Sequence, residues 1–338
     1  MKHNLVERYW VDSPKLFEER MKEIVGLHTD KIEAFELCKN NLGQSVPGFR
    51  MGRGLKNVFL LGREHGHEPV GTCGLAAFME GLAESRVPDS DQKFSEAEEI
   101  LDKLTLHMFP LMNPDAADRM SKQVKDSFPA DQFTYSKEDS DEYRLIHSEP
   151  GLTLNNDRPP HYTSEEMEIW RKTGKPIGTL FTEDGVELWM DWKYDKAPQT
   201  RAIKKLMYAS PPYLFVDIHG QEASSGLAMP AGLSDEGMNR HRGLGNILYE
   251  ALEGASLPFY PREVGTVGGG LSSIEWVRET FGGNSYQFLY EVHNGYHWFS
   301  PNVKPEDVKL PIVSKSQIIL SVWYGITAFL KGVLEVSD

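Results

Sequence analysis

The run Val58-Phe59-Leu60-Leu61-Gly62-Arg63-Glu64-His65-Gly66-His67-Glu68-Pro69 decides how the rest of the chain is read. Four apolar residues bounded by a glycine read as a buried strand. Residues that carry chemistry follow it directly, and a strand end fixes a side chain while leaving it accessible. His65 and Glu68 stand three apart, so a tight turn lets imidazole and carboxylate converge on one ion. Zinc accepts both, and catalytic zinc commonly takes two histidines and a glutamate with a position left for water. His67 is an alternative ligand within the same turn. A lone His-x-x-Glu arises by chance in many chains of this size, so the reading needs support from elsewhere.

Outward from that run, strands and helices alternate, which predicts an α/β layer architecture. Residues 14–40 carry helical spacing through Phe17, Met21, Ile24, Ile32 and Phe35, with Pro14 at the start. Helices are expected over Thr72–Leu82, Thr163–Lys172, Thr200–Tyr208, Glu236–Glu253 and 314–334. Strands are expected over Leu104–Met112, Tyr213–Ile218 (an apolar run stopping at His219) and the aromatic Ser285–Val292. The polar stretch 121–141 and the segment 171–196 read as insertions. No composition break marks a linker, so one domain over 1–338 is expected, with residues 1–50 as an N-terminal helical extension.

Composition narrows the function. The chain has 338 residues, 40% hydrophobic and 25% charged, enough for a sizeable core. A net charge of −14 repels phosphate backbones, so nucleic acid is not an expected partner. Two cysteines, Cys38 and Cys73, make no disulfide framework. The charged N-terminus lacks an apolar signal segment, and Ile318–Leu330 is too short for a comfortable membrane span. A cytoplasmic protein without a membrane partner is therefore expected.

Two further pieces join the first. Val216-Asp217-Ile218-His219-Gly220 puts a histidine at a strand exit, and Tyr290-Glu291-Val292-His293 puts a carboxylate inside an apolar strand, costly to bury unless paired. In this order the chain resembles the zinc carboxypeptidase family, the metallocarboxypeptidases related to pancreatic carboxypeptidase A. The separation of 72 positions between His219 and Glu291 (291 − 219) is similar to that family's. So are Asn113-Pro114-Asp115, Pro198-Gln199-Thr200 and Ser272-Ser273-Ile274-Glu275-Trp276.

The resemblance implies a mixed central sheet flanked by helices in an α/β/α sandwich. It implies one zinc ion held by His65, Glu68 and His219, and Glu291 as general base. It implies a metallocarboxypeptidase removing a C-terminal residue from a peptide. The family's Asn-Arg pair for the terminal carboxylate is matched by Asn155-Asn156, an Asn standing where Arg is expected, with Arg158 offering a shifted cation. Arg119 and Arg144 are both candidates for the arginine that polarises the scissile carbonyl, and Ile274 for the base of the side-chain pocket. Asp217 is placed to orient a ligand. The main rival is a deacylase of small N-acyl amino acids, similar to succinylglutamate desuccinylase and aspartoacylase, whose His-Gly-Asn-Glu resembles His65-Gly66-His67-Glu68. A third reading is an inactive member serving as a binding protein. Substrate identity, α- or γ-linkage and oligomeric state are open.

Overall fold

The computed structural model describes residues 4–123, 180–221, 226–259, 263–270, 272–282, 285–293 and 313–335, together with 135–136, 168, 172 and 297–298. In chain order the elements are α1 (Leu5–Tyr9), α2 (Pro14–Leu27), β1 (Ile32–Lys39), β2 (Ser45–Gly52), β3 (Lys56–Gly62), α3 (Val70–Glu84), α4 (Ala97–Lys103), β4 (Leu104–Phe109), α5 (Pro114–Gln123) and β5 (Tyr135–Ser136). They continue with α6 (Pro198–Ala209), β6 (Pro212–Gln221), β7 (Gly226–Pro230), α7 (Asp235–Gly254), β8 (Val264–Val267), α8 (Ser273–Phe281), β9 (Tyr286–His293), β10 (His297–Trp298) and α9 (Lys315–Glu335).

Eight strands form one mixed sheet in the order β1-β2-β4-β3-β6-β9-β7-β8. Its centre, β4-β3-β6-β9, is parallel, and antiparallel pairs occur at β1-β2, β2-β4 and β7-β9. Alternation along β3 sends Val58 and Leu60 into one core with α3, α7 and α9, and Phe59 and Leu61 into a second core with α6 and α8. The expected α/β/α sandwich is therefore what the chain builds. β4 lies on one side of β3 and β6 on the other, so the carboxyl ends of β3 and β6 border a switch point in strand order, where open α/β sheets bind ligands.

Local sequence explains most elements. Ser13 caps α2 by accepting from the Leu16 N–H at 3.3 Å, and Pro14 opens it. The helix stops at Leu27, however. Ile32 and Phe35, expected on its face, lie on β1, where Ile32 pairs with Met51 and Phe35 packs edge-on against Phe109. Sheet pairing overrides a spacing that suits either structure. Residues 32–52 thus supply the edge strand β1 and its neighbour β2, and the helical extension is confined to α1 and α2.

Helix α3 is buried on every side because it lies between the sheet and α9. Close approach there rests on Gly74, where a Cβ would sit 2.2 Å from the Val322 side chain, and on Gly71, where it would sit 2.8 Å from the Gly62 Cα. Helix α9 falls where the helix 314–334 was expected; by length and composition it is apolar enough to cross a membrane, but 72% of its apolar window is buried inside the protein, as in the core helix of a folded domain. Its apolar residues Ile319, Val322, Ile326 and Phe329 fill the first core. β7 and β8 were not expected, being too short to show alternation. The expected helix 163–172 lies outside the described residues apart from 168 and 172, as does most of 121–141.

Candidate metal centre

The turn after β3 is held from several directions. Arg63 adopts a left-handed conformation (φ 59°), and its buried guanidinium donates to the Gly66 carbonyl at 3.0 Å and the Asp12 carbonyl at 2.7 Å. Asn113, past the end of β4, donates from its backbone N–H to the Arg63 carbonyl at 3.0 Å and from its side chain to the Glu64 carbonyl at 2.8 Å. The Asn-Pro-Asp turn thereby clamps the neighbouring loop. The Glu68 N–H donates back to the His65 carbonyl at 3.2 Å, closing the turn that brings His-x-x-Glu together.

His219 arrives on β6, opposite Glu291 of β9 in the parallel register. The strand does not stop at His219, as expected from its apolar run, but continues to Gln221, because β9 keeps pairing with Gly220 and Gln221. Donor atoms of His65, Glu68 and His219 all lie within 4.8 Å of one another. The two histidines are held alike. His65 turns Nδ1 to Glu68 Oε1 at 2.8 Å and Nε2 to Glu187 Oε1 at 2.8 Å. His219 turns Nδ1 to Glu68 Oε2 at 3.2 Å and Nε2 to Asp217 Oδ1 at 3.2 Å. Each imidazole thus presents one nitrogen to the shared glutamate and the other to a buried carboxylate; at His65 the Nε2 contact is a hydrogen bond of the kind that fixes the tautomer of a metal-bound histidine, whereas His219 Nε2 and Asp217 Oδ1 lie close without bonding. Ser273 donates its hydroxyl to Asp217 and steadies the carboxylate. Asp217 and His219 share a strand face, as alternation requires.

The donor set suits a hard-to-borderline dication. Burial by itself favours neutral imidazoles, yet Glu68 and Glu187 push His65 up to about 10. His219 is likewise held well above its ordinary value against burial, by Asp217 and Glu68. Burial would raise Glu68, but the two histidines hold its carboxyl well below the usual range. The protons that this negative pocket draws to the imidazoles stand where a metal ion would bind, so the residues present fit zinc.

Glu64 was not expected to take part. It is buried, its Oε1 accepts from the Trp192 indole N–H at 3.3 Å, and its Oε2 lies 3.6 Å from His219 Nε2. Burial, then the Asp217 charge, push its carboxyl up to about 8. Glu187 and Trp192 were also missed, because 171–196 reads as an insertion. Its described part instead tucks Val186, Leu188 and Trp192 into the second core. The apolar spacing Val186, Leu188, Met190, Trp192 was the available signal.

The other expected residues fall as follows. Glu291 is half-buried, and burial, opposed by His219, leaves its carboxyl pushed up to about 7. His67 is buried and stacked on His65 with ring centroids 5.8 Å apart, with Nε2 3.5 Å from Glu68. Arg119 is committed to Glu183 at 2.7 Å and to the Phe181 carbonyl. Ile274 is fully buried in the second core beside Phe215 and Leu289. Arg144, Asn155, Asn156 and Arg158 lie outside the described residues.

Two histidines and a glutamate at the carboxyl edge of an α/β sheet make a donor set that suits catalytic zinc. The family described as zinc carboxypeptidase matches residues 32–300, and the chain belongs to it. No curated protein matches the chain significantly in sequence. Solved structures share the fold. A metallo-carboxypeptidase from Burkholderia cenocepacia is 14% identical with a TM-score of 0.61, covering 94% of this chain and 69% of its own. The carboxypeptidase A from Helicoverpa armigera is 14% identical with a TM-score of 0.57, covering 96% and 74%. A metallo-carboxypeptidase from Pseudomonas aeruginosa, in complex with (2-guanidinoethylmercapto)succinic acid, is 17% identical with a TM-score of 0.57, covering 94% and 69%.

Proposed function

We propose that this chain is a metallocarboxypeptidase that holds one zinc ion through His65 Nδ1, Glu68 and His219 Nδ1 and removes a C-terminal residue from peptides. The observation that carries the reading is the paired arrangement of the histidines, each facing Glu68 on one side and a buried carboxylate on the other. Zinc, when bound, polarises a carbonyl and lowers the pKa of water from about 15.7 to about 7. Glu291 takes the proton of the attacking water on its carboxylate and delivers it to the leaving nitrogen. A carboxyl pushed up to about 7 suits both steps at neutral pH. Glu187 keeps the Nε2 proton of His65 in place, and the Asp217 carboxylate lies 3.2 Å from His219 Nε2.

A deacylase of small N-acyl amino acids is the second reading. It is kept open by Asn156, which stands where the family's carboxylate-binding Arg is expected. Zinc content in wild type and His219→Ala tests the site: equal zinc removes His219 from it. Glu291→Gln is expected to keep zinc and lose hydrolysis, and full activity would end its role as base. Dipeptides, longer peptides and N-acyl amino acids offered to the zinc-loaded protein separate the two readings, since cleavage of N-acyl amino acids alone would retire the carboxypeptidase label.

A further inference from the structure

Within the segment 171–196, residues 181–187 form a short hairpin. Phe181 and Glu187 pair as an antiparallel bridge, and the Thr182 N–H donates to the Val186 carbonyl at 2.8 Å. Gly185, with φ 74°, turns the chain, and its N–H donates to the Thr182 carbonyl at 2.9 Å. The return arm carries Glu187, whose Oε1 lies 2.8 Å from His65 Nε2. Val186 and Leu188 on either side of Glu187 seat that arm in the second core. An isolated pair of short arms is marginal in water, so where Glu187 stands depends also on what holds the outgoing arm.

The outgoing arm is fastened to α5. The Glu183 N–H donates to Asp115 Oδ2 at 2.6 Å. Arg119, one turn further along the same helix face, donates from Nη1 to Glu183 Oε2 at 2.7 Å and from Nη2 to the Phe181 carbonyl. Phe181 is the residue bridged to Glu187. The side chains of Arg119 and Glu183 are 16% and 41% exposed, so their charge attraction alone counts for little. The fork counts for more, because a planar guanidinium that holds a carbonyl and a carboxylate together fixes both relative to the helix. The same helix starts at the Asn-Pro-Asp turn, whose Asn113 clamps the Arg63 and Glu64 carbonyls. The first turns of α5 therefore hold both the loop that carries His65 and the hairpin that carries the carboxylate behind it.

We propose that Arg119 is a positioning residue of the metal centre: it holds the 181–187 hairpin so that Glu187 meets His65 Nε2, and it does not polarise the scissile carbonyl. This rests on the zinc reading for His65 as a ligand. The hydrogen bond between His65 and Glu187 can be followed without metal.

The test uses the full-length protein as wild type, Arg119→Ala, Arg119→Lys, Glu187→Ala and the Arg119→Ala/Glu187→Ala double variant, each checked for folding by circular dichroism. Zinc affinity is measured by chelator competition. The imidazole nitrogens of the metal-free protein are followed by heteronuclear NMR, with His65→Gln to assign the His65 ring. Loss of a carboxylate behind a metal-bound histidine typically lowers affinity 10–100-fold; Arg119→Ala, acting through that carboxylate, is expected to lower it roughly threefold to tenfold, and Arg119→Lys, which keeps one donor, to recover part of the loss. The double variant is expected to lose no more than Glu187→Ala alone, because both changes act on one contact. Losses that add overturn the proposal, since Arg119 would then serve the scaffold independently of Glu187. Unchanged zinc affinity in folded Arg119→Ala overturns it as well, and a fall in kcat on a peptide with that affinity unchanged would return Arg119 to the carbonyl. If wild type binds no zinc, the metal reading falls; the positioning role then stands if the His65 Nε2 resonance moves in Arg119→Ala as it does in Glu187→Ala, and fails if it stays.

Discussion

Glu187 offers the sharpest test of how the metal centre is assembled, because sequence reading gave it no role. Its side chain is buried, its Oε1 lies 2.8 Å from His65 Nε2, and the same oxygen receives the Trp189 N–H at 3.2 Å. Glu187→Ala removes the acceptor that fixes the His65 tautomer and leaves two buried donors without it. Removal of a carboxylate behind a metal-bound histidine typically lowers metal affinity 10–100-fold, which is about 1.4–2.7 kcal/mol. Glu187→Gln keeps an acceptor oxygen in the same place and loses only the charge, so its loss is expected to stay within about tenfold. Zinc affinity is measured by competition against a colorimetric chelator, with circular dichroism to confirm folding. The reasoning would be refuted if folded Glu187→Ala bound zinc as tightly as wild type, or if Gln cost more than Ala.

Three other perturbations probe the scaffold. His107 is buried on β4, stacked on Phe59 at 4.6 Å, and burial, then the Arg50 charge, depress its pKa from 6.5 to about 4. The unfolded chain therefore binds more protons between those values, so this contribution is complete above pH 6.5 and is lost as pH falls through 4; from pH 7 to pH 5 it amounts to about 2 kcal/mol, and His107→Phe should flatten that part of the urea-midpoint profile. Arg8→Ala leaves the buried Glu80 carboxylate without its guanidinium, expected to destabilise by about 3–5 kcal/mol in urea unfolding, and a loss below about 1 kcal/mol would count against a buried pair. In Gly66→Ala the new Cβ would lie 2.4 Å from the Ala116 carbonyl carbon, a backbone atom that cannot swing away, so a loss of about 1–3 kcal/mol together with weakened zinc binding is expected. Unchanged zinc affinity there would show that the loop can shift without moving His65 and Glu68.

The sequence by itself determined the elements whose signal is local. Apolar runs bounded by glycine marked β3 and β6, Pro14 and Pro198 opened helices, and the short-range spacing of His65 and Glu68 marked the turn that joins them. It also brought His219 and Glu291 into question, since a carboxylate in an apolar strand needs a reason. The tertiary structure alone decided whatever depends on neighbours distant in the chain. Ile32 and Phe35 fit a helix or a strand equally well until β2 pairs with them. Glu187 lies 122 positions from His65, and Glu64 reaches Trp192 across 128, separations over which no periodicity carries information. His65, Glu68 and His219 could be read from the chain because a turn or a strand positions each one, and so could Asp217, two before His219; Glu187 and Trp192 could not, because only the packing of a distant segment against the sheet puts them there.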